Sequence, residues 1–420
     1  MNTLRDLLHP FDTDRFLNEY WTRQPVIIAG ADDKIKNLFS WEKYGDLINR
    51  HLADLVAPKL RMHTTRSGFV DLTENLPTID GGVLRQTSAR LLNDHCQEGA
   101  TLVVDQIHKY VPGLQQLCDT LAAELGERVQ INSFASWKGA RGFPPHYDPH
   151  ELFIIQIAGE KRWELLGQSF AHPLPEHRSN PEDRPDTVVL AGTLTAGDVM
   201  YMPRGTWHRT VTSDQPSLHL AVGVNCRNGI DLLVWVMEEL KNNPSLRQNL
   251  PLSYRPGFSP GYDGEAMKPV LANLGAAVSE LLHADDTLDR YNENCLLGDR
   301  PHTRFVFPNL VSPDMLPDGE KSRFYRPSSQ RVIIRPLSDA TGPEGARDAE
   351  STDGVQVLVW GKELLFGGDV HGLIARLFSA ERFTGSDVLS WSDGFTWDDI
   401  APILEQLVAE QILFVDGSGR

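Results

Sequence analysis

The hydrophobic pattern along the chain changes twice and separates three regions. Up to about residue 125 the pattern is mixed, with an apolar stretch at 25–30 and helical periodicity from Leu114 to Leu125. Between Val129 and Val224, β-branched and aromatic residues cluster in short runs separated by Gly, Pro, Asp or Ser. These runs predict strands at 152–157, 161–167, 187–192, 198–203, 207–213 and 217–224. Many short strands joined by turns indicate a mainly β domain, an antiparallel sandwich or jelly roll of the cupin (double-stranded β-helix) architecture.

After Asn228 the periodicity becomes helical. Apolar residues recur every three or four positions from Ile230 to Leu240, and Asn-Asn-Pro then ends the helix. A second helix is expected from Val270 to Leu282, with Pro269 near its start. The apolar faces of the two helices have two interpretations, as cover for an intramolecular core or as a dimerisation surface.

The third region begins near residue 325. The pattern predicts a strand at 331–336, a polar loop at 341–354 and further strand material at 355–366. Helices and a terminal strand follow, an order that suggests a winged-helix-like unit. Residues 341–420 include 14 acidic and 5 basic residues, whereas a winged helix that reads DNA needs a basic face. We therefore expect this unit to contact protein rather than DNA.

Composition narrows the choice of partners and of compartment. The 420 residues suggest more than one domain, and the formal net charge is −17. Such an acidic surface disfavours nucleic acid and anionic membranes and favours a basic segment of another protein. The chain has no apolar run near the ~20 residues that span a bilayer and no secretion signal at its N-terminus. We expect a cytoplasmic protein whose four widely spaced cysteines are reduced thiols: Cys96, Cys118, Cys226 and Cys295.

The residues that could carry chemistry begin at the start of the strand-rich region. One residue separates His146 from Asp148, so in an extended strand both side chains would point to the same face. A third ligand must come from another strand, and His208 follows a turn made by Pro203 and Gly205. Two histidines and one carboxylate on one face form the facial triad of non-haem Fe(II) oxygenases. A His-x-Asp pair alone is common by chance, so the downstream histidine decides the interpretation.

The residues around this triad resemble the JmjC family. The matching segments are HYD (146–148), FIIQIAGEKRW (153–163), PRGTWH (203–208) and SLHLAVGV (217–224). Within that family they are most similar to the ribosomal oxygenases, which hydroxylate ribosomal proteins, and FLNEYWTRQPVIIAG (16–30) is similar to that group's N-terminal signature. The resemblance covers nearly the whole chain. It implies a JmjC catalytic domain at 1–228, a helical dimerisation region at 229–324 and a winged-helix-like domain at 325–420.

The resemblance also implies roles for individual residues. His146, Asp148 and His208 would hold Fe(II), and Lys161 would pair with the distal carboxylate of 2-oxoglutarate. A carboxylate in a dry barrel needs a cation; Lys161 is preferred to Arg162, which faces the other side of the strand. Asn132 matches a polar position near the co-substrate, although a role in a turn explains a lone Asn nearly as well.

Several aromatic residues and histidines near these motifs are further candidates. Phe134, Tyr147 and Trp207 are candidates for the lining of the substrate channel, whereas Trp163 is expected in the core. His219 resembles a histidine that supports the metal site in relatives, but a hydrogen-bonded core histidine is the preferred reading. Loop positions without an assigned function are expected for His150, His172 and His177.

The implied activity is hydroxylation of a side-chain carbon in a protein, with an arginine or histidine of a ribosomal protein suggested by the resemblance. The reaction would consume 2-oxoglutarate and O₂ and release succinate and CO₂. An alternative is the same chemistry on a natural-product precursor peptide, an amino acid, a tRNA base or a methylated lysine. Another alternative is a JmjC scaffold that binds partners without turnover. A homodimer is implied, and neither membrane association nor direct DNA binding is expected.

Overall fold

A computed structural model of the chain describes residues 3–30, 32–49, 60–64, 68–137, 143–212, 215–253, 261–298, 315–316, 318–327, 329–337, 354–391 and 394–415. The chain divides into two compact units, Met1–Cys226 and Arg227–Arg420. This boundary lies two residues before the expected end of the catalytic domain. The further division expected at residue 325 stays a prediction.

The first unit is rich in strands, as the sequence pattern predicts. Its strands are β1 (Val26–Ile28), β2 (Leu60–Thr64), β3 (Gly68–Val70), β4 (Thr73–Pro77), β5 (Val83–Thr87), β6 (Thr101–Val104), β7 (Arg128–Ser136), β8 (Glu151–Ala158), β9 (Lys161–Leu166), β10 (Val188–Leu194), β11 (Val199–Met202), β12 (His208–Thr212) and β13 (Ser217–Asn225). Its helices are α1 (Leu4–Leu8), α2 (Thr13–Arg15), α3 (Trp41–Leu47), α4 (Ala89–Gln97) and α5 (Pro112–Leu125), with a π-helical turn at Phe16–Tyr20.

Two antiparallel sheets form the core of this unit. The larger has the strand order β1-β11-β8-β13-β7-β6-β2-β3, and the smaller has the order β10-β9-β12. Leu152 and Ile154 of β8 pack in a cluster with Trp163 and Leu165 of β9, whereas Phe153 packs on the opposite face in a cluster with the N-terminal helices and α5. Because β8 is buried on both faces, its sequence is a continuous apolar run rather than an alternating one. The arrangement is the expected jelly roll.

The second unit is mixed helix and strand. Its helices are α6 (Gly229–Leu240), α7 (Gly264–His283), α8 (Thr287–Gly298), α9 (His371–Ser379), α10 (Gly385–Trp391) and α11 (Trp397–Ala409). Its strands are β14 (Leu252–Ser253), β15 (Gly261–Tyr262), β16 (Arg323–Tyr325), β17 (Val332–Pro336), β18 (Gly354–Val359), β19 (Lys362–Gly367), β20 (Arg382–Thr384) and β21 (Phe414–Val415). Helices α9 and α11 pack with the β17-β18-β19 sheet in one apolar cluster, as a winged-helix-like unit would require.

The structure differs from the sequence pattern at two helices. Helix α7 begins at Gly264 rather than near Pro269, because the Asp263 side chain accepts hydrogen bonds from the N–H groups of Glu265 and Ala266 and caps an earlier first turn. Helix α8 was not expected, since its sequence is mostly polar and shows little periodicity. The loop predicted at 341–354 lies outside the described residues, apart from Gly354.

Two composition-based expectations concern the membrane and the thiols. No helix in the described ranges is both long and apolar enough to cross a bilayer. All four cysteines are free thiols.

Candidate metal centre

His146 and His208 meet in a two-residue antiparallel bridge. The backbone N–H of His146 donates to the carbonyl of His208 at 3.2 Å, and the N–H of His208 donates to the carbonyl of His146 at 2.8 Å. The two ring centroids are 4.4 Å apart. Asp148 follows two residues later, just before a bend at 149–150 that leads into β8. His146 and Asp148 both border one cavity, as the predicted shared face requires, although the paired backbone here is a two-residue bridge and not a continuous strand.

The turn before His208 is tied to Asp148. Gly205 donates its N–H to the carbonyl of Asp148 at 2.9 Å, and Thr206 donates to the carbonyl of Pro203 at 3.2 Å. Gly205 has φ +81°, and a Cβ there would lie 2.8 Å from Cδ of Pro173. Glycine is required at position 205, because φ is positive and because a Cβ would have no space. β12 then begins at His208 itself.

Hydrogen bonds fix which ring nitrogens can act as ligands. Nδ1 of His146 lies 2.8 Å from the carbonyl of Pro144, and Nδ1 of His208 lies 3.1 Å from the carbonyl of Thr206. A carbonyl can only accept, so each Nδ1 carries the proton and each Nε2 keeps its lone pair. Nε2 of His208 is 3.8 Å from Oδ2 of Asp148, and candidate ligand atoms of the three residues all lie within 4.8 Å of one another.

The charge states suit a cation. Burial, with His146 nearby, lowers the pKa of His208 to about 4. Burial alone would raise the pKa of Asp148, but His150, His146 and His208 together hold that pKa below its usual value. At neutral pH the cluster therefore presents a neutral imidazole at His208 and a carboxylate at Asp148, the protonation states that bind metals. The donor set fits a facial triad.

Lys161 lies inside the cavity that the three residues border. This cavity has a volume of about 220 Å³. Lys161 is only 2% exposed, and its Nζ donates to Oγ of Ser136 at 3.0 Å. Burial lowers the pKa of Lys161 to about 7. Among the described residues, no carboxylate lies within ion-pair distance of Lys161, whereas Arg162 is exposed and paired with Glu164.

Asn132 and Phe134 also border the cavity. Asn132 lies within β7 and not in a turn, and its Oδ1 accepts the N–H of Gln106 at 2.8 Å. Its proposed role toward a co-substrate stays a prediction. Phe134 is stacked on the ring of His219 at 5.1 Å. His219 is buried, and burial holds its pKa well below the usual value.

Tyr147 and Trp207 do not line the cavity, contrary to expectation. They pack with Leu166 in a separate buried cluster, with their rings 5.4 Å apart. Each adjoins a metal-binding candidate in sequence, and neighbouring side chains in extended backbone point in opposite directions. Trp163, expected in the core, is buried and also borders the cavity.

His150 also borders the cavity, although the sequence assigned it no function. Its position two residues after Asp148 was the only available signal. Arg61 and Asp105 border the cavity too and form an ion pair at 2.5 Å. No motif marks this pair, because the two residues come from separate segments that only the larger sheet brings together.

Comparison with known proteins agrees with this architecture. Residues 104–232 match the JmjC domain family. The chain is 28% identical over 263 residues to the Drosophila mojavensis bifunctional lysine-specific demethylase and histidyl-hydroxylase NO66, covering 59% of this chain and 28% of that protein. It is 28% identical over 265 residues to Rattus norvegicus ribosomal oxygenase 2, covering 58% of this chain and 53% of that protein. The matches thus span about half or less of these relatives.

Solved structures show the same fold over almost the whole chain. The X-ray structure of Escherichia coli ycfD superposes with a TM-score of 0.60 at 17% identity, covering 97% of this chain and 98% of that one. A structure described as YcfD, a ribosomal oxygenase from Escherichia coli, in complex with cobalt and 2-oxoglutarate gives a TM-score of 0.58 at 17% identity, covering 97% of this chain and 99% of that one. The family match and the sequence relatives thus show a JmjC domain at residues 104–232 in a chain that is similar to the ribosomal oxygenases.

Proposed function

We propose that the protein is an Fe(II)- and 2-oxoglutarate-dependent oxygenase that hydroxylates a side-chain carbon of a protein. The observation that carries this proposal is that His146, Asp148 and His208 border one cavity together with a buried Lys161 that forms no ion pair with any described carboxylate. A structural metal site would need no open positions and no buried cation. The complex of YcfD with cobalt and 2-oxoglutarate supports the same pairing of metal and co-substrate.

Each residue of the site would have a separate role. Nε2 of His146, Nε2 of His208 and a carboxylate oxygen of Asp148 would hold ferrous iron, which when bound supplies the activation of O₂ for hydroxylation. The Pro144 and Thr206 carbonyls keep the two rings oriented by accepting from Nδ1. Lys161, already hydrogen-bonded to Ser136, would receive the distal carboxylate of 2-oxoglutarate. The apolar walls of Trp163 and Phe134 would exclude water from the reaction.

The substrate proposed is a basic segment of a ribosomal protein, modified at an arginine or histidine. Two features support it: the net charge of −17, which complements a cationic partner, and the relatives named ribosomal oxygenase 2 and histidyl-hydroxylase NO66. Those relatives are longer than the matched region, so their activities reach this chain only as part of the proposal.

The test combines co-substrate turnover with product analysis. Anaerobically purified protein should bind about one Fe(II) per chain, convert 2-oxoglutarate to succinate, and add one oxygen atom to a ribosomal protein, detected by mass spectrometry. His146→Ala and His208→Ala should each abolish succinate formation, because two protein ligands rarely retain ferrous iron. His371→Ala, at an exposed position of α9, is the matched control. Wild-type succinate formation in either ligand variant would contradict the proposal.

A further inference from the structure

The ring of His150 lies in space that is free because residue 223 is a glycine. It lies between Asp148 and β8, half-buried, with its ring against Gly223 of β13. A Cβ built on Gly223 would lie 2.7 Å from Cδ2 and 2.8 Å from Nε2 of His150. Any other residue at position 223 would therefore displace the ring. No hydrogen bond to either ring nitrogen is formed by the residues that the structure describes.

Strand register shows which end of the cavity His150 occupies. On β13, Ser217 pairs with Ser136, the residue that is hydrogen-bonded to Lys161, whereas Gly223 pairs with Gln130. Gly223 is six positions after Ser217, a distance of about 20 Å at ~3.3 Å per residue. His150 and the Lys161 ammonium group are therefore at opposite ends of the same cavity wall.

The metal-binding candidates lie toward the His150 end. His208, the first residue of β12, pairs with Leu165 of β9, which is four positions after Lys161 on the same strand. His150 itself lies two residues after Asp148 and borders the same cavity. A co-substrate that joins Lys161 to the metal would fill the space on the Lys161 side. The space beside His150 is then left for the group to be hydroxylated.

We propose that His150 hydrogen-bonds the protein substrate next to the metal site and that Gly223 sets the position of its ring. The inference rests on the proposed function and adds to it a residue that selects and aligns the substrate. His150 contributes a polar group on the side of the cavity away from Lys161. Its loss should uncouple co-substrate consumption from hydroxylation rather than stop it.

Two variants separate the ring from its nitrogens. His150→Phe keeps a planar ring without hydrogen-bonding atoms, and His150→Asn keeps a hydrogen-bonding group in a smaller side chain. The acceptor mixture is total ribosomal protein extracted from a host that lacks the gene. Succinate is measured with and without this mixture, and oxygen incorporation is measured by mass spectrometry. Metal affinity is measured separately by titration with Co(II).

With His150→Phe we expect unchanged Co(II) affinity and unchanged succinate formation without acceptor. Hydroxylation at limiting acceptor should fall at least 10-fold, and fewer hydroxyl groups should form per succinate. His150→Asn should recover part of the loss, and His371→Phe should match the wild type. Wild-type coupling in His150→Phe overturns the inference, as does a loss of Co(II) affinity, which would make His150 part of the metal site. Failure of the proposed function is distinct, because the wild type itself would then form no succinate or add no oxygen atom to the ribosomal protein.

Gly223→Ala tests the second half of the inference. The added methyl group should push the His150 ring from its place and reproduce the uncoupling of His150→Phe. The double variant His150→Phe/Gly223→Ala should be no more uncoupled than the more affected single variant, because both changes act through one contact. Additive losses in variants that melt cooperatively would show that Gly223 does not act through His150 and would overturn this half. Should Gly223→Ala fail to fold, the double variant His150→Ala/Gly223→Ala lacks the ring that the added methyl group would meet, so it must fold and show the same uncoupling as His150→Ala; failure to fold here too would overturn this half.

Discussion

The carbonyl oxygen of Asp148 accepts a hydrogen bond from the backbone N–H of Gly205 at 2.9 Å. This bond joins the segment that carries His146 and Asp148 to the turn that delivers His208. Two segments of the chain far apart in sequence are thereby held in register at the metal centre. The geometry of the triad depends on backbone contacts as much as on the three side chains.

Gly205→Ala should therefore lower both the stability of the protein and the affinity of the metal centre for Co(II). The residue has φ +81°, and a Cβ would meet Pro173 at 2.8 Å and the Phe170 carbonyl at 3.0 Å. We expect a loss of about 1–3 kcal/mol in the free energy of unfolding from backbone strain and weaker Co(II) binding. Denaturant unfolding and metal titration measure the two effects. Gly275→Ala in α7 is the control, since nothing lies within 4 Å of the added Cβ there; equal metal affinity in both variants would contradict the prediction.

The affinity for 2-oxoglutarate should depend on the protonation of Lys161. The pKa of this group is lowered from 10.5 to about 7 by burial, so the ammonium form that attracts a carboxylate is lost as pH rises through about 7. We expect the KM for 2-oxoglutarate to rise from pH 6.5 to pH 8.5. Lys161→Arg should keep part of the activity without this pH dependence, because a guanidinium stays protonated.

Replacing Lys161 with alanine should raise the KM for 2-oxoglutarate more than a rise in pH does. Lys161→Ala leaves the distal carboxylate unpaired in a buried site, at a cost of roughly 3–5 kcal/mol, so KM should rise by about two to four orders of magnitude. Arg162→Ala is the control, since that side chain is exposed and paired with Glu164. A larger increase in KM for Arg162→Ala would show that the wrong cation has been assigned.

The same lowered pKa has a consequence for stability. The unfolded chain holds the Lys161 proton up to about its ordinary pKa of 10.5, whereas the folded chain releases it near 7. Burial of the ammonium group therefore destabilises the protein fully below pH 7, and this penalty decreases as pH rises toward 10.5. Relative to Lys161→Met, the co-substrate-free wild type should gain stability over this window. Chemical denaturation at several pH values measures the difference, and a constant difference would contradict the expectation.

Helix α6 carries an apolar face that the described residues of the chain leave exposed. Ile230 and Met237 are 53% and 61% exposed, whereas Trp235 and Val236 on the other side are buried. We expect this face to pair with a second copy, so that light scattering gives twice the chain mass of 47.0 kDa. Met237→Glu should shift the protein to monomer, and Lys241→Glu, an already exposed charge, should not. A wild-type monomer at micromolar concentration would contradict the prediction.

Turnover of a basic protein substrate should depend on ionic strength. The net charge of −17 would accelerate encounter with a cationic segment, and salt screens such attraction over roughly 10 Å at ~0.1 M. We expect kcat/KM for ribosomal protein to fall as salt rises, while succinate formation without acceptor changes little. Efficient hydroxylation of a free amino acid or a neutral peptide, independent of salt, would contradict the proposed substrate.

Local spacing was enough to predict much of this molecule. The strand runs, the His-x-Asp pair and the alternation of Lys161 and Arg162 depend on a two-residue period that side chains follow in any extended segment. The inward position of Lys161 could thus be predicted without knowing the partner strands. Helix α8 could not, because its mostly polar sequence offers almost no periodic apolar positions.

Only the tertiary structure decided how distant segments meet. His146 lies beside His208 through a two-residue bridge rather than a strand, and Tyr147 and Trp207 turn away from the cavity as a consequence. The place of His150 follows from the absence of a side chain at Gly223, a residue on another strand. Periodicity along a chain reports which face a side chain takes, but contact between strands depends on register, which hydrogen bonds and packing fix only in the folded protein.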